Sequence, residues 1–249
     1  MTMLLMILAI ILGSAISLAG GIALIRVKKR RQAALLMTMP FGAGALLAAA
    51  FFDLLPESFE IADPATMLMY ALAGFIFFFI MERCGTWFHH HHDHGQIEAK
   101  VVQQRRLVVL GDLTHNIIDG LAIGAAFLVS VPTGIITTLA VSAHEIPKEV
   151  GTFALLLSRG WRGKTVILAN IATALGTVFA AVLVYILAKD VEEFVAPLLA
   201  LTSGFFIYVA ASDIIPDIHE QPQRIGTIQA AMLVIGVIAV GSLITLLGV

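Results

Sequence analysis

The chain has 249 residues, a formal net charge of −2 at pH 7 and a mean hydropathy of +0.96. Hydrophobic residues make up 59% of it and charged residues only 13%, about half the charged share of a soluble domain. This composition excludes a soluble domain and a nucleic-acid-binding protein, and the single Cys84 excludes an intramolecular disulfide and a cysteine metal cage.

Apolar segments predict eight membrane-spanning helices, each close to the roughly 20 residues that a bilayer requires. The first segment has its basic residues after its apolar core, the reverse of a cleavable signal peptide, so we expect it to be a retained helix. The fold class is an all-α polytopic membrane protein, with one transmembrane domain over 1–249. The predicted spans lie at about 2–25, 33–55, 64–82, 106–130, 133–157, 163–188, 195–215 and 225–248.

Lysine and arginine divide unequally between the two sides of the predicted membrane. Thirteen lie in the segments that follow spans 1, 3, 5 and 7, whereas only Lys189 lies in a segment on the other side. Cytoplasmic loops carry the excess of positive charge in membrane proteins. The distribution therefore predicts that both termini lie outside and that the 83–105 loop is cytoplasmic.

The ends of spans 2 and 7 share an eight-residue pattern. Residues 53–60 read D-L-L-P-E-S-F-E, and residues 213–220 read D-I-I-P-D-I-H-E. By the loop charges, span 2 runs outward and span 7 inward, so repeated halves would be inverted, as in many secondary transporters. The alternative is that short apolar motifs ending in proline and acid recur by chance.

Span 4 carries a polar face inside an apolar segment. Asp112, His115, Asn116 and Asp119 are spaced i, i+3, i+4 and i+7, which places them on one side of a helix. Ionisable side chains at membrane depth cost about 2.5–3.5 kcal/mol each on insertion scales, and by default they indicate function. Asp112 lies near the end of its span, where simple solvation explains it equally well.

Span 5 carries a second polar cluster, His144, Glu145, Lys148 and Glu149. A five-residue turn over 130–134 joins the two spans, which we expect to be antiparallel neighbours. Imidazole nitrogen with carboxylate and amide oxygen suits a borderline divalent cation such as Zn²⁺, and the lack of thiolate argues against Cu(I). We therefore predict an intramembrane metal site with these candidate ligands: His115, Asn116, Asp119, His144 and Glu145.

Two further sets of polar residues lie outside that core. Asn170, Thr173 and Thr177 share a face of span 6, where they serve either helix-packing hydrogen bonds or the transport site. The second-tier candidates for the transport site are Lys148, Glu149, Asn170 and Thr173. The cytoplasmic loop carries a histidine tract, a pattern typical of metal binding, which we interpret as a mobile acceptor or sensor; the alternative is a dispensable solvated loop. The tract consists of His89, His90, His91, His92 and His94.

At these residues the chain resembles the ZIP (Zrt-, Irt-like) family of divalent-metal transporters, and within it the histidine-rich branch. The branch's H-N-x-x-D-G-x-A-I-G-A-A-F string stands in full at 115–127, and its H-E-I-P-H-E-x-G-D-F string corresponds to 144–153. The resemblance covers all eight spans by topology and is most specific in spans 4 and 5. It implies eight helices in a 3+2+3 inverted-repeat arrangement, with a metal path among spans 2, 4, 5 and 7.

The resemblance also implies an activity. It predicts transport of Zn²⁺ and related cations into the cytoplasm by an elevator-type carrier, in which spans 1, 4, 5 and 6 move against spans 2, 3, 7 and 8. It further implies a prokaryotic family member in the plasma or inner membrane, and a homodimer. We expect a transporter rather than an enzyme, with divalent metal ions and the lipid bilayer as its partners. Small residues over 42–50 would offer a smooth sliding face, although tight packing explains them too.

Two departures from the family pattern affect the site. The third histidine of the span 5 string is Lys148 here, and the aspartate after the glycine is Thr152. In family members with two adjacent metals, the residue at the Lys148 position can bridge them, whereas a protonated ammonium cannot coordinate. We therefore favour a single-metal site on His115, Asp119 and His144, with Lys148 in the space of a second metal, paired with Asp119 or Glu145.

Other functions are compatible with the same residues. His144-Glu145-x-x-Lys148 differs by one residue from the H-E-x-x-H motif of zinc metalloproteases, so an intramembrane protease is the main rival. A metal channel is another. The sequence leaves open Zn²⁺ against Fe²⁺, Mn²⁺, Co²⁺ or Cd²⁺, because the affinity orders of such sites overlap.

Overall fold

The computed structural model describes residues 1–26, 31–90, 97–158, 160–188 and 192–247. Throughout these ranges the regular structure is helical, which confirms the predicted all-α class. Two π-helical turns, Ala50–Leu54 and Val209–Ile214, and a 3₁₀ turn, Glu192–Phe194, link some of the α-helices. The α-helices are α1 (Thr2–Arg26), α2 (Arg31–Ala49), α3 (Leu55–Ile61), α4 (Pro64–His90), α5 (Ile97–Val129), α6 (Val131–Ser158), α7 (Gly163–Ala188), α8 (Val195–Tyr208), α9 (Ile215–Glu220) and α10 (Gln223–Leu247).

Seven helical stretches among the described residues are long and apolar enough to cross a membrane. They correspond to predicted spans 1–4 and 6–8, and the polytopic membrane class is confirmed. The predicted fifth span, α6, is not among the seven, although it has 28 residues. Its polar residues over 144–149 interrupt the apolar sequence. α6 packs against α1, α2 and α5, so neighbouring helices cover its polar face.

The predicted loop over 83–105 is shorter than expected. α4 continues to His90 and α5 begins at Ile97, so both flanking helices extend into it. Residues 91–96, which include three of the tract histidines, lie outside the described residues. The cytoplasmic position of this segment stays a prediction.

The predicted five-residue turn between spans 4 and 5 is also wrong, because Ser130 alone separates α5 from α6. The Ser130 hydroxyl oxygen accepts a hydrogen bond from the backbone N–H of Thr133 at 3.1 Å, the geometry of an N-cap. Pro132 has no N–H, which costs nothing in the first helical turn. The two helices are therefore joined tightly, and they pack against each other as predicted.

Asp63 fixes the start of α4 in the link between α3 and α4. Its carboxylate accepts hydrogen bonds from the Thr66 hydroxyl at 2.7 Å and from the Thr66 backbone N–H at 2.9 Å. The hydrogen bonds from the Thr66 side chain and backbone hold the pKa of Asp63 below its usual value. The helix thus begins next to a charged cap outside the apolar span, where an anion also favours the helix dipole.

Spans 2 and 7 share a local backbone form at their eight-residue pattern. In each, the residue before a proline donates its N–H to a carbonyl five residues back: Leu55 to Ala50, and Ile215 to Ala210. The proline that follows has no N–H to continue the α-helical ladder. The π-helical turn is therefore common to both patterns, whereas the inverted relation of the two halves stays a prediction.

Reciprocal glycine contacts hold two pairs of helices at close backbone distance. In the pair α4 and α8, a Cβ on Gly74 would meet the backbone carbonyl of Leu201, and a Cβ on Gly204 would meet that of Ala71. α2 and α10 approach each other in the same reciprocal way through Gly44 and Gly236. Small residues of this kind allow close helix association in a bilayer.

We expect Gly204→Ala to lower the thermal stability of the purified protein, because its new methyl group would occupy the space of the Ala71 carbonyl and the Phe75 amide. Overpacking of this kind costs about 1–3 kcal/mol. Gly151→Ala is the matched control, since nothing lies within 4 Å of its added Cβ. Its thermal midpoint should stay level or rise slightly, because alanine favours the helix over glycine. Equal midpoints in the two variants would contradict the close approach of α4 and α8.

Candidate metal centre

Three side chains from α5 and α6 converge inside the bundle. The Nε2 atoms of His115 and His144 lie 3.1 Å apart. Oδ2 of Asp119 lies 3.7 Å from the first nitrogen and 3.8 Å from the second. The side chains are 18% exposed for His115, 4% for Asp119 and 5% for His144. The structure thus brings together the three residues that the sequence favours for a single-metal site.

The spacing of these three atoms suits one small cation. Ligands about 2.0–2.1 Å from a tetrahedral ion lie roughly 3.3–3.4 Å from one another, and the observed separations are 3.1, 3.7 and 3.8 Å. Oδ2 of Asp119 is buried and accepts no hydrogen bond from any described residue. Three protein ligands leave the fourth tetrahedral position open, as in sites where the metal must exchange ligands.

Neighbouring helices position the two histidines. The ring of Phe78 on α4 meets the ring of His115 edge to face, with centroids 5.8 Å apart. Gly42 on α2 lies against the backbone of His144, where a Cβ would come within 2.7 Å of the histidine Cα. Phe78 is a contribution that the sequence does not reveal, because the phenylalanine-rich stretch of span 3 reads as packing or lipid-facing bulk.

Lys148 pairs with two carboxylates outside the group of three ligand atoms. Its Nζ atom lies 3.2 Å from Oδ1 of Asp112 and 3.4 Å from Oε1 of Glu145. The sequence predicts a pairing of Lys148 with Asp119 or Glu145, so the glutamate is correct and Asp112 replaces Asp119. Glu145 thus lies against the ammonium rather than within the group of three ligand atoms.

A polar face of α7 holds the polar face of α5. The Thr173 hydroxyl donates to Oδ2 of Asp112 at 2.6 Å, and the Thr177 hydroxyl donates to Oδ1 of Asn116 at 2.9 Å. The amide nitrogen of Asn116 donates to the backbone carbonyl of Asp112 at 2.9 Å. Asn116 therefore lies on the predicted face with both polar atoms of its amide engaged. Asp112 is buried, so the solvation that its sequence position allows does not explain it.

Two second-tier residues remain. Glu149 and Asn170 are both buried, on α6 and α7 respectively. Oε2 of Glu149 has no hydrogen-bond partner among the described residues. The side chains of His89 and His90 are not described, and His91, His92 and His94 lie outside the described residues, so the metal-binding role of the tract stays a prediction.

Comparisons with known proteins identify a family and several relatives of the chain. The model of the family described as ZIP Zinc transporter matches residues 2–106 and 104–244. The zinc transporter ZIP4 of Mus musculus is 48% identical over 110 residues, which are 44% of this chain and 16% of that protein. The zinc transporter ZIP13 of Pongo abelii is 31% identical over 223 residues, which are 84% of this chain and 66% of that protein. The chain thus aligns with about a sixth of the length of the ZIP4 relatives.

Proposed function

Because the chain belongs to the ZIP family of zinc transporters, we propose that it moves Zn²⁺ across the membrane into the cytoplasm through the His115–Asp119–His144 cluster. The observation that carries the proposal is the group of three ligand atoms, all within 4.8 Å of one another, on helices inside the bundle. A metal site at membrane depth suits a transporter, since a transported ion must pass through the interior of the membrane. The relatives ZIP4 and ZIP13 are named as zinc transporters.

The ligand chemistry favours zinc among the divalent cations. Two imidazoles and one carboxylate form a ligand set found in zinc sites with an exchangeable position. The set also accepts Fe²⁺, Mn²⁺, Co²⁺ and Cd²⁺ because nitrogen and oxygen ligands do not separate these ions strongly. A competition assay in which each ion displaces Zn²⁺ during uptake ranks them.

The proposed site holds one metal ion at a time. Lys148 stands where the family pattern has a histidine, and its ammonium lies between Asp112 and Glu145. A positive charge at that place substitutes for a second cation and repels one. Glu149, Asn170 and Thr173 would then line the cytoplasmic side of the path, and the tract histidines at 89–94 would receive the metal after release.

The helix contacts support an elevator-type carrier. α1, α5, α6 and α7 pack among themselves, with Gly120 and Gly124 of α5 against the α7 backbone, while α2 with α10 and α4 with α8 form reciprocal glycine pairs. The two groups meet chiefly where α2 faces α6 and α5 faces α8. In the proposed sliding face, Gly42 points toward His144 whereas Gly44 points toward α10. Only part of the small-residue stretch of span 2 would therefore slide. We propose a homodimer in the plasma membrane as the working assembly.

Zinc flux into proteoliposomes tests the proposed activity. With the full chain reconstituted, external Zn²⁺ should enter vesicles that carry an internal zinc dye, and the rate should saturate with zinc concentration as expected of a carrier. Empty vesicles supply the background. A rate that rises linearly with zinc concentration would indicate a channel. Absence of flux, together with cleavage of a membrane-embedded substrate, would instead favour the metalloprotease, in which Glu145 acts as general base.

A further inference from the structure

Asp112 is a buried carboxylate that the ligand cluster does not use. It is 8% exposed, and its two oxygens face different partners. Oδ1 lies 3.2 Å from the Lys148 ammonium, and Oδ2 accepts the Thr173 hydroxyl hydrogen bond at 2.6 Å. Three helices are therefore joined through one carboxylate: α5 supplies it, α6 supplies the ammonium and α7 supplies the hydroxyl.

Asp119 is an alternative partner for the Lys148 ammonium. Lys148 follows His144 by one helical turn, and its four-carbon side chain is flexible. Asp119 lies about 10 Å farther along α5 than Asp112, since each residue rises about 1.5 Å. Its Oδ2 atom is buried and accepts no hydrogen bond from the described residues. An ammonium drawn to that oxygen would occupy the place of the divalent cation.

We propose that Asp112 is a positioning residue that holds the Lys148 ammonium away from the metal ligands, and that Thr173 orients Asp112 for this task. The inference rests on the proposed function, because it names the residue that keeps the ammonium out of the proposed zinc site. Opposite charges attract more strongly in a poorly screened interior than in water, and Asp112 is the carboxylate of α5 that faces the ammonium, at 3.2 Å, beside Glu145 of α6 at 3.4 Å. With Asp112 in place, Asp119 stays available to the metal.

The test is a double-mutant cycle on zinc affinity, measured on the purified full chain with Zn²⁺ alone and with His115→Ala as the blank for zinc held elsewhere. Asp112→Asn keeps the shape of the side chain and removes its charge. It should weaken zinc binding by at least about tenfold, or roughly 1.4 kcal/mol. In the Lys148→Met background the same change should alter affinity less than about twofold, because no ammonium remains to move.

A second cycle replaces Asp112→Asn with a change that removes no charge. Thr173→Val removes the hydroxyl that orients Asp112, so it should weaken zinc binding several-fold in the parent and have little effect in the Lys148→Met background. Thr138→Val is the matched control, since the Thr138 hydroxyl donates within α6 to the Gly134 carbonyl at 2.7 Å. This cycle decides the question if Asp112→Asn does not fold.

The outcomes separate the two proposals. Equal losses of affinity with and without Lys148 would show that Asp112 and Thr173 act on folding or bind metal themselves, and would overturn this inference while leaving the zinc site intact. If the unsubstituted chain binds no more zinc than His115→Ala does, the proposed function fails and this inference fails with it. Coupling in both cycles supports the positioning role.

Discussion

Replacing His115 or Asp119 with alanine is expected to abolish most zinc uptake while leaving the protein folded and inserted. Each change removes one of the three ligand atoms that lie 3.1 to 3.8 Å apart. Substitution of a residue that only hydrogen-bonds to a metal ligand costs about 10–100-fold in metal affinity or activity. Loss of a ligand itself should lower uptake by at least that much. Flux into proteoliposomes at limiting Zn²⁺ measures the loss.

Exposed residues of the same types provide the controls. His219 and Asp217 lie on the surface of α9, away from the ligand cluster, so His219→Ala and Asp217→Ala should transport at the unsubstituted rate. The amount of inserted protein and its thermal midpoint are compared across all four variants. Uptake near the unsubstituted rate in both His115→Ala and Asp119→Ala would refute the intramembrane site.

Lys148→His is expected to raise the number of metal ions held in the membrane core. The ammonium lies 3.2 Å from Asp112 and 3.4 Å from Glu145, a place where two carboxylates can help to hold a cation. Imidazole would supply a ligand there in place of a positive charge. Zinc per chain, counted after removal of residues 89–94 so that loop binding does not contribute, should increase relative to the same deletion with Lys148 intact.

Lys148→Met gives the complementary result. It removes the positive charge from two buried carboxylates, and breaking a buried ion pair costs about 3–5 kcal/mol. The variant should therefore unfold at a lower temperature without metal and gain more stability from added Zn²⁺ than the parent does. An unchanged metal count in Lys148→His, together with unchanged metal-free stability in Lys148→Met, would refute the idea that the ammonium takes the place of a second metal.

The spans and the polar faces could be predicted from the sequence because both depend on local spacing. Runs of about 20 apolar residues indicate spans, and the i, i+3, i+4 and i+7 positions of span 4 fix which side chains share a face. The turn between α5 and α6 was within reach too. Ser130 followed by Pro132 and Thr133 is a capping signal, and it shortens the predicted turn to one residue.

The partners of those faces could not be predicted, because they come from distant parts of the chain. Asp112 and Thr173 are 61 positions apart, and nothing near either residue indicates the other. The choice of Lys148 between Asp112 and Asp119 depends on side-chain reach in three dimensions. Phe78 was likewise hidden, since an aromatic run in an apolar span looks the same whether one ring meets a histidine or every ring meets lipid.

The glycine contacts that join α2 to α10 and α4 to α8 also determine the order in which helices can pair during synthesis. Gly44 on α2 packs against α10, and Gly74 on α4 packs against α8. Because α8 and α10 are synthesised much later, α2 and α4 are inserted into the bilayer before their partner helices exist. α5 and α6, by contrast, are neighbours in sequence and can pair as soon as both are inserted. The α5–α6 hairpin would therefore form before the helix pairs that surround it, and the unpaired glycine faces of α2 and α4 would be the surfaces most exposed to wrong partners during synthesis.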